Sequence, residues 1–168
     1  MNYTLGKYKL KIFPEAFSPS VHFMISKGYI SLGGLDDKHL SVIMLNDKGK
    51  ILDQRPKVVM SKRDMELGYI PGDDFRTFHL GRGKSRLTIL PIICYEIKFR
   101  DIWQSITEEV NLVTHHIGYN MRDLEQAKRW ISLQKEVSNY FNCDLVCACG
   151  NHEKGINISG IQFSLFSR

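Results

Sequence analysis

The segment RLTILPIIC (86–94) constrains this chain more than any other. From Ile89 to Cys94 it is apolar on successive positions, so as a strand it has no face to offer water and is expected to be buried on both sides. It then delivers a thiol, Cys94, and changes at once to the charged, amphipathic YEIKFRDIW (95–103). Ile102, Ile106 and Val110 fall at i, i+4 and i+8 with Trp103 beside them, so a helix is expected close behind Cys94. A cysteine at the carboxyl end of a buried strand, on the turn into a helix, is held on a sharp corner. Backbone amides there favour negative charge, on a thiolate or on the oxyanion formed when sulfur attacks a carbonyl. Free cysteines are also among the most buried residues and mostly inert, and the corner alone leaves that reading open.

Elsewhere period-2 and short apolar runs bounded by turn residues outnumber helical patterns. YKLKIF (8–13) alternates as a strand and ends at the loop signal PEAFSPS. LSVIML (40–45) and KILDQRPKVVM (50–60) are joined by NDKG, which predicts an antiparallel hairpin. Pro56 cannot donate to a ladder, so the second strand should break, or lie at a sheet edge, just before Lys57. YIPGDD (69–74) reads as a turn, RTFHL as a short strand, and GRGKS (81–85) as a hairpin into RLTILPIIC. NLVTHHIG (111–118) is the next strand. Asp123 with Gln126 opens a helix to about Phe141 that buries Ala127, Trp130, Ile131, Val137 and Phe141. DLVCAC and GIQFSLF close the chain as strands, giving a mixed α/β chain of 168 residues, enough for one core and read as one domain over 1–168.

The letters around Cys94 add a family. ICYEIKF resembles the nucleophile segment of the carbon-nitrogen hydrolase (nitrilase) superfamily, in its amidase-like branch. Three further stations stand in the family's order. IFPEAF (12–17) resembles its strand-end F-P-E, DKGKILDQRPKVVM (47–60) its hairpin and lysine, and YIPGDDF (69–75) its F-x-P-G-D-x-F. The resemblance implies an α-β-β-α sandwich, here short with one outer layer incomplete, and a Glu-Lys-Cys triad of Glu15, Lys57 and Cys94. It makes Glu15 the general base, Cys94 the nucleophile, and Lys57 with the Tyr95 amide the stabilisers of the oxyanion. Glu66 is the nearest match to a second, substrate-positioning glutamate, and Tyr119 and Asn120 stand where the family contacts substrate. The implied reaction is thiol-dependent hydrolysis of a non-peptide amide bond through an acyl-thioester. The second reading is a scaffold of this family that has lost turnover and works through protein contacts.

The implied chemistry needs no cofactor and no metal, and the remaining signals do not add one. GRGKS lacks the leading glycine of a phosphate-binding loop, with Phe78 in its place, and a strand follows rather than a helix. Cys143, Cys147, Cys149 and His152 match no usual paired zinc spacing, and core packing is the better reading. His115 and His116 are adjacent on a strand and point to opposite faces. The net charge of +5 comes from basic residues spread along the chain rather than packed into a stripe, which argues against a nucleic-acid partner. No apolar segment approaches the ~20 residues of a membrane helix and no secretory signal is evident, so a cytoplasmic address with reduced thiols is expected. The expected partners are a small-molecule amide and a second copy of the chain, which as a homodimer would cover faces left bare by the missing layer.

Overall fold

The computed structural model describes residues 2–5, 8–12, 29–32, 39–46, 48, 50–118, 123–149 and 165–166. Two five-stranded sheets organise them. The first runs β1 (Asn2–Leu5), β2 (Tyr8–Ile12), β3 (Tyr29–Leu32), β4 (Ser41–Leu45) and β5 (Ile51–Pro56), each beside its neighbour in sequence. Only the β2–β3 pair in it is parallel. The second sheet, with β6 (Phe78–Leu80), β7 (Leu87–Ile93), β8 (Leu112–Ile117), β9 (Asp144–Cys149) and β10 (Leu165–Phe166), has the order β10-β9-β8-β7-β6. Its three inner strands are parallel and its two outer pairs antiparallel.

The β4–β5 hairpin forms where the turn residues predict it. The Asn46 side-chain oxygen accepts from the amides of Lys48 and Lys50, both at 2.9 Å, which closes the turn locally. β5 ends at Pro56 and is the edge strand, so the missing N–H of that proline costs no ladder bond. β7 is buried from Thr88 to Ile93 and β8 along its whole length, the both-faces burial that continuous apolar sequence demands. Each fully buried Ile or Leu in them contributes about 1.5–3 kcal/mol. Pro91 sits inside β7 opposite Thr114 of β8, and β6 on the other side pairs only with residues from Leu87 to Ile89, so its missing N–H costs no ladder bond to β6.

Among the described residues three α-helices accompany the sheets, α1 (Lys62–Glu66), α2 (Arg100–Gln104) and α3 (Leu124–Phe141), with a 3₁₀ turn at Cys94–Lys98. α3 starts where Asp123 accepts from the Gln126 amide at 2.6 Å and ends at Asn142, whose φ of 52° makes the left-handed cap. Its Ala127, Trp130, Gln134 and Val137 are buried. α2 is shorter than its apolar stripe predicts. The Ser105 hydroxyl turns back to the Ile102 carbonyl at 2.6 Å and ends the helix there, although Val110 beyond it is still buried. Leu10, Val42 and Met44 of the first sheet join one apolar cluster with β7, β8, β9 and α3, so the sheets face each other and α3 covers the far side of the second. Among the described residues no helix longer than the five-residue α1 accompanies the first sheet. None of the described helices is long and apolar enough to cross a membrane.

Candidate active site

At Cys94 the chain leaves β7 with φ at 45°. Left-handed backbone costs a residue with a side chain roughly 1–2 kcal/mol, so surrounding contacts must hold it. Glu96, two residues on and fully buried, supplies one such set. Its Oε2 accepts from the Ile93 amide at 2.7 Å and from Arg55 Nη2 at 2.8 Å, while its Oε1 accepts from the Val58 amide at 2.8 Å and Arg55 Nη1 at 3.0 Å. Four donors thus meet one carboxylate. Two are backbone amides, one next to Cys94 and the other next to Lys57, so Glu96 ties the Cys94 corner to the lysine strand. Arg55 also donates to the carbonyls of Pro56, at 3.0 Å, and Pro91, and lies 4.5 Å over the Phe75 ring. The Pro91 carbonyl, freed by the short β6, is therefore taken by a side chain of the opposite sheet.

Lys57 is fixed in backbone and side chain. Its amide donates to the Leu40 carbonyl at 2.6 Å, and its own carbonyl accepts from the Gly72 amide at 2.8 Å. That second contact explains a glycine in the PGD turn: a Cβ at position 72 would stand 2.2 Å from Pro56 Cγ. The Lys57 ammonium is buried and lies 2.8 Å from Asp64 Oδ2. Asp64 is the N3 residue of α1, where Ser61 caps the helix and Asp64 accepts from the Ser61 amide at 2.7 Å. Burial pushes the Asp64 carboxyl up, but the hydrogen bond and charge of Lys57, helped by Ser61, outweigh it and leave its pKa lowered.

Glu66 is elsewhere. Its side chain is 62% exposed and pairs with Lys62 at 3.8 Å along α1, so Asp64 is the carboxylate that meets the lysine. The S-x-x-D pattern at Ser61–Asp64 carried the signal. Tyr95 stays at the corner, its ring edge-to-face with Phe99 at 5.4 Å and 4.6 Å from the Lys98 ammonium. Glu15, Tyr119 and Asn120 lie outside the described residues. Cys143 and Cys147 are buried, and among the described residues no group of three or more His, Cys, Asp or Glu is placed to hold a metal ion.

The two histidines take opposite faces. His116 Nε2 meets Thr114 Oγ1 at 3.0 Å, whereas His115 turns toward α3, with Gln134 Nε2 at 2.9 Å and the Trp130 ring at 5.3 Å. His115 Nε2 donates to the Cys94 carbonyl at 3.1 Å. Burial drives the His115 pKa down to about 3, with the charges of His116 and Lys57 adding to it and the bond to Cys94 opposing it, so the ring is neutral.

No family model and no curated protein matches the chain. Solved structures do. A mutant of the Nesterenkonia AN1 amidase from the nitrilase superfamily superposes with a TM-score of 0.55 at 16% identity, over 73% of this chain and 46% of that one. The chain has the nitrilase-superfamily fold. A second nitrilase-type structure, a mutant of the same amidase carrying the acetamide moiety of fluoroacetamide on its active-site cysteine, matches with a TM-score of 0.55 at 17% identity, over 73% of this chain and 46% of that one. An amidase from Nesterenkonia sp. gives a TM-score of 0.57 at 16% identity, covering 82% of this chain and 49% of that one. The chain thus spans about half the length of the nitrilase-fold amidases it matches.

Proposed function

We propose that the chain is a thiol-dependent hydrolase of small linear amides. One observation carries the reading: the buried carboxylate of Glu96 binds the Val58 and Ile93 amides at once, which draws Lys57 and the strained Cys94 corner to one place. The likeness to structures in which an amidase cysteine carries an acetamide moiety supports the same chemistry.

In this reading Glu15 takes the Cys94 proton as sulfur attacks the amide carbon. Charge develops on the carbonyl oxygen, where the Lys57 ammonium and the Tyr95 N–H stabilise it. Asp64 holds that ammonium in place. The C–N bond breaks, Glu15 returns the proton to the leaving amine, and a thioester remains on Cys94. Glu15 then deprotonates water, which attacks the thioester and restores the thiol, so one water is consumed and one carboxylic acid and one amine are released. Tyr119 and Asn120 are assigned to substrate contact in the same reading.

Mass spectrometry of the intact protein with a panel of small amides tests this, comparing wild type with Cys94→Ala and Glu15→Gln. An acyl adduct on Cys94, absent in Cys94→Ala, is expected, together with loss of turnover in Glu15→Gln. No adduct across a broad panel, with equal reactivity of all thiols toward alkylation, would point instead to a scaffold without turnover.

A further inference from the structure

The buried His115 and Gln134 have no part in the proton transfers above, yet they end on the nucleophile's own peptide. His115 Nε2 lies 3.1 Å from the Cys94 carbonyl oxygen, and Gln134 Nε2 lies 2.9 Å from His115 Nδ1. A carbonyl can only accept, so Nε2 carries the hydrogen and Nδ1 accepts from Gln134. The alternative orientation of Gln134 would require a hydrogen on Nδ1 and set a bare Nε2 against the carbonyl. Gln134 keeps its orientation although its side-chain oxygen, buried, has no hydrogen-bond partner among the described residues. An unpaired buried acceptor is costly, so the commitment of the amide nitrogen to His115 decides how Gln134 sits. Cys147 Sγ, 3.9 Å from Nδ1, and the Trp130 ring complete the wall around the imidazole.

The Cys94 carbonyl and the Tyr95 N–H belong to one planar peptide, and no cis bond occurs among the described residues, so the two groups point in opposite directions. We propose that His115 is a positioning residue for the oxyanion-binding amide: by holding the Cys94 carbonyl from the core side, it fixes the direction of the Tyr95 N–H on the other edge. A hydrogen bond donated to the carbonyl also polarises the peptide and makes its N–H the stronger donor. The inference rests on the hydrolase reading, because it matters only where an oxyanion forms beside Tyr95.

Two reagents separate this role from a merely structural one. Alkylation of Cys94 by iodoacetamide forms S–C as C–I breaks and iodide leaves, with no oxyanion. Acylation by p-nitrophenyl acetate forms S–C, passes through a tetrahedral oxyanion, and releases p-nitrophenolate as C–O breaks. Both rates are read at Cys94 by peptide mass spectrometry on variants shown to be folded by near-UV circular dichroism. His115→Leu should slow acylation about tenfold to a hundredfold, less than outright loss of an oxyanion donor, and leave alkylation within about twofold. His115→Gln, which keeps an N–H at a similar reach, should restore acylation. Gln134→Met, which leaves the imidazole in place but unlocked, should slow acylation by a smaller factor. Acylation and alkylation falling together, or acylation unchanged in His115→Leu and Gln134→Met, overturns the inference. Turnover of amides by the wild type, measured alongside, judges the hydrolase reading separately.

Discussion

Glu96→Gln is the sharpest perturbation of the clamp between the two sheets. The glutamate accepts four hydrogen bonds in a fully buried site and is the charge partner of Arg55 at 2.8 Å. Glutamine keeps one acceptor oxygen, but its NH₂ group must face either Arg55 Nη1 and the Val58 amide or Arg55 Nη2 and the Ile93 amide. Two bonds become donor-donor contacts and the guanidinium loses its counter-charge. Hydrogen bonds to charged groups are worth about 1.5–3 kcal/mol each, and breaking one partner of a buried ion pair costs about 3–5 kcal/mol, so the two routes agree on about 3–5 kcal/mol. In a domain of this size that lowers Tm by about 6–20 °C. Urea and thermal unfolding followed by circular dichroism measure it, with the surface variant Lys62→Ala as a control expected within about 0.5 kcal/mol of wild type. A Glu96→Gln loss below about 1 kcal/mol would refute the claim that this carboxylate holds the corner together.

Asp64→Asn should destabilise by about 1.5–3 kcal/mol in urea unfolding, because it breaks a buried 2.8 Å pair with Lys57, whereas Glu66→Gln should stay within about 0.5 kcal/mol. Equal losses would contradict the assignment of Asp64 as the partner of the lysine. Gly72→Ala drives a Cβ to 2.2 Å from Pro56 and should cost about 1–3 kcal/mol by the same assay; a neutral result would deny the close approach. Below pH ~6.5 an unfolded histidine binds a proton that His115, with a folded pKa of about 3, refuses. Stability therefore falls as pH drops from about 6.5 toward 3, by up to about 1.4 kcal/mol per unit, and His115→Gln should flatten the slope of urea midpoints between pH 7 and 5. Equal slopes for the two proteins would mean that His115 is not held neutral.

What the sequence made legible was whatever local chemistry decides. Continuous apolar character placed β7 between two layers, Pro56 marked an edge, and Asp123 opened α3, because each depends on a residue and its near neighbours. The Ser105 hydroxyl overrode the apolar stripe behind α2, a competition between side chain and backbone that periodicity does not register. Long-range partners stayed hidden. Glu96 lies inside the segment that resembles a nucleophile motif, but its importance comes from Arg55 and Val58, 41 and 38 positions away. The histidine pair was resolved into two faces by strand alternation alone, while the bond from His115 to the Cys94 carbonyl depends on how α3 and β8 pack.

A crystal structure of the protein after reaction with fluoroacetamide would test the central claim most directly. With an acetamide moiety on Cys94 Sγ, the account predicts the adduct's carbonyl oxygen at about 2.7–3.1 Å from both Lys57 Nζ and the Tyr95 nitrogen, with the Glu15 carboxylate beside the sulfur. An adduct whose oxygen meets neither donor, or a Glu15 carboxylate turned away from Cys94, would contradict it.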